Sequence, residues 1–110
     1  MAGLKEISDA EFQAEVVESD LPVIVDFWAP WCGPCRTVSK VLEGVAEQRQ
    51  DLKIVKINID DNTKQAIANG VMILPTVILF KDGKPLGKLQ GGVPPKHITS
   101  LIEAHLGAAD

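Results

Sequence analysis

Runs of apolar residues divide the chain into segments with two different periods. From Pro22 to Ala29 nearly every position is apolar, which is typical of a central strand covered on both faces. Apolar residues alternate from Leu52 to Ile59, and a further apolar strand is predicted from Thr76 to Phe80. Asp82-Gly83 then favours a tight hairpin into a strand from Pro85 to Leu89. These segments predict four strands of one sheet.

Four other segments carry the signals of helices. Ser8-Asp9-Ala10-Glu11 has the form of a capping box and opens a short helix through about Val17. Asn62, with Gln65 three residues later, is expected to cap a helix that ends at Gly70. A long helix is predicted from Pro34 to about Gln50, and a final one begins at Pro94-Pro95. The apolar positions of these two helices are Cys35, Val38, Val41, Leu42, Val45 and Ala46 in the first, and Ile98, Leu101, Ile102 and Leu106 in the second.

With a further strand before the first helix, the predicted order of elements is β-α-β-α-β-α-β-β-α. Right-handed crossovers make the early strands parallel, and the hairpin adds an antiparallel edge. We therefore expect an α/β fold with a central five-stranded mixed β-sheet flanked by four helices, two on each face. A length of 110 residues suits a single domain with one substantial core.

Charge and hydropathy argue against several classes of partner. The formal net charge of -4 disfavours nucleic acid and anionic membrane surfaces, because both attract basic proteins. No run approaches the roughly 20 apolar residues of a membrane span. The first eight residues have no apolar core of a signal peptide, so a cytoplasmic location is expected, although a processed form would look the same. A monomer is the default expectation.

The two cysteines of the chain, Cys32 and Cys35, lie two residues apart where the predicted central strand meets the long helix. A C-x-x-C motif beside a βαβ pattern is typical of a redox site. Helical spacing turns Cys35 inward, whereas Cys32 lies at or before the first turn, where backbone N–H groups and the helix dipole favour a thiolate. We therefore expect Cys32 to be the exposed nucleophile and Cys35 the shielded resolving thiol.

Two other interpretations of the cysteine pair are a structural bridge and half of a zinc site. A bridge across so short a loop would stabilise little compared with bridges over longer loops. Zinc would need two more ligands, and the two histidines, His97 and His105, are eight residues apart on the final helix, outside the usual spacing. Redox chemistry is therefore the favoured hypothesis, and we expect no metal and no cofactor beyond the disulfide itself.

Residues outside the cysteine motif extend the candidate site. Asp26 lies within an apolar strand, so burial should raise its pKa and let it exchange a proton with Cys35; alternatively it bonds backbone groups at a strand end. Pro75 interrupts an apolar run, which locally indicates an edge or a turn. Trp28 is expected in the core. An apolar patch around Cys32 is expected to comprise Trp31, Gly33, Pro34, Met72, Ile73, Leu74, Gly91 and Gly92.

One stretch of the chain resembles the active-site signature of the thioredoxin family, namely Trp28-Ala29-Pro30-Trp31-Cys32-Gly33-Pro34-Cys35. Asp26 matches the buried acid of that family, Leu74-Pro75-Thr76 its cis-proline segment, Phe80 to Lys84 its hairpin, and Gly91-Gly92 its surface glycine. The likeness runs from about Ile7 to Leu106 and implies the thioredoxin fold, with residues 1–110 forming one domain. It also implies a cis Leu74–Pro75 bond against the disulfide, and a Leu74 backbone that receives an extended substrate.

The resemblance implies a reductase of protein disulfides that works through a reversible Cys32–Cys35 bridge and is recharged by a separate reductase. That partner would be a flavoprotein using NADPH or a ferredoxin-linked enzyme. Gly33-Pro34 accompanies the reducing members, which argues against the first alternative, a disulfide oxidase or isomerase. The second alternative is a binding subunit without redox turnover.

The implied roles fall into three groups. The catalytic group is Cys32, Cys35 and Asp26; the redox-tuning group is Gly33, Pro34 and Lys56; and the substrate-binding group is Trp31, Met72, Ile73, Leu74, Pro75, Gly91 and Gly92. Two positions depart from the family. Lys40 replaces a proline in the long helix, so any kink there should be weaker or absent, and Met72-Ile73 should make the groove more apolar.

Overall fold

The central strand of the sheet is the apolar run that follows Pro22. In a computed structural model that describes residues 3–108, this run forms β2 (Val23–Trp28). The other strands are β1 (Lys5–Glu6), β3 (Lys53–Asn58), β4 (Thr76–Lys81) and β5 (Lys84–Gln90). The sheet has the strand order β1-β3-β2-β4-β5, with β2 and β3 parallel, β1 parallel to β3, and both β2–β4 and β4–β5 antiparallel. The predicted five-stranded mixed sheet is confirmed.

Helices cover both faces of this sheet, as the patterning predicted. They are α1 (Gly33–Gln48), α2 (Lys64–Ala68) and α3 (Pro95–Leu106), together with an N-terminal helical segment. The side chains of α1 and α3 pack into one core cluster, and those of α2 and the N-terminal segment into the other. α1 continues without interruption through Lys40, and its expected inward position Ala46 is exposed, because it lies at the edge of the apolar stripe.

The N-terminal helical segment differs from the single short helix predicted there. It consists of a 3-10 turn, Asp9–Glu11, followed by a π-helical stretch, Gln13–Val17. The predicted capping box is present, because the Ser8 N–H donates to Glu11 Oε1 at 2.9 Å. Phe12 and Val16 are both buried against the sheet. Packing of these apolar side chains therefore outweighs regular α-helical hydrogen bonding in this segment.

The predicted cap of α2 is wrong in one respect. Asn62 lies one residue before the N-cap, Thr63, and its Oδ1 accepts from the Asp9 N–H at 2.9 Å. The carboxylate of Asp9 instead accepts from the Lys64 and Gln65 N–H groups, at 3.0 and 2.9 Å. A residue more than fifty positions away thus satisfies the first turn of α2, which no local pattern could indicate.

The C-terminal end of α2 is as expected in one respect and shorter in another. Gly70 has φ 67°, the left-handed conformation predicted for it, but the helix itself ends at Ala68. Among residues 3–108, no helix combines the length and the apolar character that crossing a membrane requires.

Candidate active site

The cysteine pair lies where β2 passes into α1, as predicted. Cys32 is the N-cap of α1, and Pro34 occupies the first turn, where its missing N–H leaves no helical bond unmade. Cys32 and Cys35 form a disulfide with their Cα atoms 5.4 Å apart. The Cys35 N–H donates to Cys32 Sγ at 3.3 Å. Sulfur at this position therefore faces the positive end of the helix, which favours a thiolate once the bridge opens.

The two sulfur-bearing residues are both largely buried. Cys32 is 6% exposed and Cys35 2% exposed, so the expectation of an exposed Cys32 is wrong, although Cys32 is the more accessible of the two. Cys32 is buried because it forms a cluster with Ala29 and Cys35, against which Trp28 and Leu74 pack. Only an edge of the disulfide meets solvent, and an incoming sulfur must approach from that edge.

Two loops meet the cysteine motif from the other side of the site. The Leu74–Pro75 peptide bond is cis, as the family resemblance implies, and Pro75 is buried. The carbonyl oxygen of Pro75 accepts from the Gly91 N–H at 2.7 Å. Gly91 has φ 81°, which favours glycine, and a Cβ on Gly92 would lie 3.4 Å from Pro34 Cβ. The structure thus brings the segment before β4, the loop before α3 and the start of α1 together.

Three large apolar side chains are exposed, one next to Cys32 and two just before Leu74, which packs against the cysteines, and we call them the front rim. They are Trp31 at 69% exposure, Met72 at 90% and Ile73 at 51%. The Trp31 indole N–H donates to Asp60 Oδ1 at 3.0 Å, which restrains the ring. Exposed apolar groups next to a reactive bond are typical of a binding surface.

Asp26 lies on the central strand β2, and its side chain is fully buried. Its Oδ2 accepts from the Ser39 hydroxyl at 2.9 Å, and its Oδ1 has no hydrogen-bond partner within residues 3–108. Burial raises the pKa of Asp26 to about 6, against the opposing effects of the Ser39 hydrogen bond and the Lys56 charge. Within those residues the side chain does not bond backbone groups, which was the alternative interpretation.

Lys56 pairs with Asp26 across β2 and β3, so it is a strand neighbour as the resemblance implies. Its Nζ lies 4.8 Å from the centroid of the Trp28 ring and 3.9 Å from Glu6 Oε1. Trp28 is half-buried rather than a full core residue, because its indole N–H reaches outward to Glu6 Oε2 at 3.1 Å. These contacts form a charged and aromatic wall beside the buried acid.

A cavity of about 270 Å³ opens beside Cys35, and no residue of the front rim is among its walls. We call it the rear cavity. It offers a route by which a proton can pass between the buried groups and solvent. Its walls are formed by Trp28, Ala29, Pro30, Cys35, Arg36, Ser39, Lys40, Glu43 and Lys56.

The thioredoxin family model matches residues 3–104 of this chain. The chain belongs to the thioredoxin family. It is 45% identical over 101 residues to thioredoxin 1 of Synechococcus elongatus, covering 91% of this chain and 94% of that protein. It is 41% identical over 107 residues to thioredoxin 1 of Nostoc sp., covering 96% and 100%. The thioredoxin of Porphyra purpurea is 43% identical over 104 residues, covering 94% and 97%.

Membership of the thioredoxin family makes the chain a thiol-disulfide oxidoreductase that acts on disulfides and is recharged by a reductase. The Cys32–Cys35 bridge is the redox pair of that chemistry. Within residues 3–108, no group of three or more His, Cys, Asp or Glu side chains is arranged to hold a metal ion.

Three residues of this thioredoxin site were not singled out from the sequence. Ser39 bonds the buried acid, Glu6 bonds Trp28, and Asp60 bonds Trp31. Ser39 left a signal, because it lies four residues after Cys35 on the same helix, and so on the same face. Glu6 and Asp60 left none, since each reaches the site from a distant part of the chain.

Proposed function

We propose that this protein reduces protein disulfides with Cys32 as the attacking thiolate, Cys35 as the resolving thiol and Asp26 as the group that accepts the Cys35 proton. The observation that supports it most directly is the place of Cys32, at the N-terminus of α1 and bridged to the more buried Cys35. Only the more accessible thiol can meet a substrate first, and only the shielded one is positioned to resolve it.

The reaction begins with the reduced protein. The Cys32 thiolate attacks one sulfur of the substrate disulfide, and the other substrate sulfur leaves as a thiolate. Asp26 then takes the proton of Cys35, and the Cys35 thiolate attacks Cys32 Sγ. The second substrate sulfur is released, and the Cys32–Cys35 disulfide remains. Two electrons pass to the substrate, so each cycle requires an external donor.

The front rim and Leu74 are the proposed substrate-binding groups. Trp31, Met72 and Ile73 offer apolar surface, and Leu74, whose bond to Pro75 is cis, packs against the cysteines. An extended substrate segment would add to this backbone as a further strand. Gly91 and Gly92 lack side chains that would obstruct that approach. Gly33 and Pro34 are proposed to keep the potential reducing, and Lys56 to adjust the ionisation of Asp26.

Location and partners complete the proposal. We propose a monomer in the cytoplasm, because a dithiol pair of this kind works in a reducing compartment and the chain has no further cysteines to form a structural framework. The redox disulfide is proposed to suffice without a cofactor. Recharging is assigned to an NADPH-dependent flavoprotein or a ferredoxin-linked enzyme, and nucleic acid and membranes are not proposed partners.

The reduction potential of the Cys32–Cys35 pair tests the direction of the reaction. We expect equilibration against a glutathione or dithiothreitol buffer to yield a value near about −270 mV, the range characteristic of thioredoxins. A value near about −180 mV or higher would instead identify an oxidase or isomerase. Retained activity after Cys32→Ser and Cys35→Ser together would identify a binding subunit without redox turnover.

A further inference from the structure

The hydroxyl of Ser39 connects the buried acid to the cavity behind the resolving cysteine. Ser39 lies four residues after Cys35 on α1, so both side chains are on one face of the helix. Both also line the rear cavity. From that position Ser39 Oγ donates to Asp26 Oδ2 at 2.9 Å.

Within residues 3–108, the hydrogen bond from Ser39 is the one that a side chain makes to the Asp26 carboxyl, because Oδ1 has no hydrogen-bond partner there. A hydroxyl can both donate and accept, so Ser39 can bond the ionised carboxylate and also the protonated acid. A bond to the charged form favours ionisation, which opposes the effect of burial. Without Ser39, the carboxyl would be a buried acid with neither oxygen bonded by a side chain in the described chain.

We propose that Ser39, at the wall of the rear cavity, is a positioning residue for the resolving step, and that its hydroxyl holds the Asp26 carboxylate ionised so that this carboxylate can accept the Cys35 proton. In that step the S–H bond of Cys35 breaks, an O–H bond forms on Asp26, and the electron pair stays on sulfur as the attacking thiolate. The inference rests on the role proposed above for Asp26.

The charged groups around Asp26 come from several elements. Lys56 on β3 favours its ionised form and Glu6 on β1 disfavours it, whereas β4 places the apolar Val77 opposite. The Ser39 bond holds the pKa of Asp26 down more strongly than the Lys56 charge does. Among residues of the chain that favour the carboxylate, Ser39 is therefore the one whose removal should matter most. The charged residues of α1 that line the rear cavity are Arg36, Lys40 and Glu43.

The first measurement is the titration of Asp26 in the oxidised protein, where no cysteine thiol titrates. The infrared absorption of its carboxyl group, identified by its loss in Asp26→Asn, reports the fraction that is protonated at each pH. We expect Ser39→Ala to move the midpoint upward by about one pH unit, because a bond to a charged group is lost. Ser39→Thr keeps a hydroxyl and should return the midpoint to within about 0.3 units of the parent.

The second measurement is the rate at which a mixed disulfide on Cys32 is resolved, followed from pH 5 to pH 9. If the midpoint moves from about 6 to about 7, the ionised fraction at pH 6 falls from about a half to about a tenth. Ser39→Ala should then be about fivefold slower at pH 6 and nearly equal to the parent at pH 8. A merely structural defect would slow resolution at every pH.

Thr37→Ala is the matched control, because it removes a hydroxyl from an exposed position of the same helix. An unchanged midpoint and acid limb in Ser39→Ala, or a Ser39→Thr protein that titrates like Ser39→Ala, would overturn the inference about Ser39. If Asp26→Asn removes the acid limb in the same experiment, the role of Asp26 still stands. If Asp26→Asn keeps the acid limb of the parent, both proposals fail.

Discussion

Two regions beside the Cys32–Cys35 disulfide, the front rim and the rear cavity, differ in the side chains that form them. On the front rim, Trp31, Met72 and Ile73 expose large apolar surfaces. The rear cavity beside Cys35 has Ser39 and charged side chains among its walls, together with apolar ones, and Ser39 bonds the buried carboxyl of Asp26. The apolar groups are in water and the acid is buried, which is the reverse of the usual distribution.

This inversion separates two tasks that one bond requires. In the function proposed above, an extended polypeptide covers the apolar surface at the front, and this surface serves binding without contacting the groups that exchange protons. A buried acid at the rear exchanges protons near neutral pH, because burial raises its pKa, and it does not touch the substrate. Changes at the front should therefore alter affinity, and changes at the rear should alter pH dependence and stability.

The largest expected effect comes from removing the bond that joins the two sides. Cys32→Ser should abolish turnover, because no thiolate remains at the accessible position. In the Cys35→Ser protein, the Cys32 thiolate should still attack substrates, but a mixed disulfide should accumulate because no second thiol resolves it. Mass spectrometry of the protein after exposure to a disulfide substrate distinguishes the two variants. A Cys35→Ser protein that turns over normally would contradict the assignment of roles.

A change confined to the rear is Asp26→Asn, and we expect it to slow turnover while stabilising the fold. Resolution of the mixed disulfide should be slower at pH 7 by about tenfold or more, because the proton acceptor is lost. Turnover of a protein disulfide under conditions limited by this step measures that effect. Asp20→Asn, at an exposed position, is the matched control.

The stability effect of Asp26→Asn follows from the sign of the pKa shift. The pKa of Asp26 is raised from 3.8 to about 6 on folding, so the folded state disfavours the charge. The loss of stability from burying the charged carboxylate is small below about pH 4, grows between pH 4 and 6, and is nearly complete above about pH 6. Asp26→Asn should therefore raise the free energy of unfolding by about 3 kcal/mol at pH 8 and by little at pH 4. Urea unfolding at both pH values checks this, and equal gains at the two would contradict it.

A change confined to the front is the double variant Met72→Ser and Ile73→Ser. We expect kcat/KM for a protein disulfide to fall about tenfold through KM, because apolar area that a substrate would cover is removed. The pH profile of resolution and the urea midpoint should stay as in the parent, since both side chains are exposed. Ile67→Ser removes an equally exposed apolar group outside the front rim and is the control. A shifted pH profile would show that the two sides are coupled.

The change with the least expected effect is at Asp9, which lies outside both the front rim and the rear cavity. Asp9→Ala removes the acceptor for two N–H groups of α2, the helix that leads to Met72 and Ile73. We expect a loss of about 1 kcal/mol in the free energy of unfolding and faster hydrogen exchange at Lys64 and Gln65. The titration of Asp26 should not change. Asp20→Ala is the control, and exchange rates equal to the parent's would show that the cap contributes nothing.

The order and type of elements followed from local patterning, and the exceptions have a common cause. The buried run of β2, the inward stripe of α1 and the hairpin before β5 each depend on neighbours in sequence, and each was predicted within a few residues. The mixed turns of the N-terminal segment and the capping of α2 by Asp9 depend on contacts between distant segments. Periodicity cannot report such contacts.

The candidate site divides in the same way. The spacing of Cys32 and Cys35 and the burial of Asp26 within an apolar strand could be predicted, because they follow from the strand-to-helix junction. The near-complete burial of Cys32 could not, since it comes from packing around Ala29 and Leu74. The hydrogen bond from Ser39 to Asp26 was predictable only in part. Helical spacing places Ser39 on the same face as Cys35, but it does not show which acid Ser39 contacts.

The amino-acid sequence by itself determined the chemistry of this protein, because two thiols at the start of a helix and an acid within an apolar strand are local features. Tertiary structure decided how that chemistry is surrounded. It joined Leu74–Pro75, Gly91-Gly92 and the cysteines into one surface, and left an apolar front and a polar rear around a single bond. The physical reason is that burial, and with it the pKa of Asp26, is a property of how segments pack and not of any one segment.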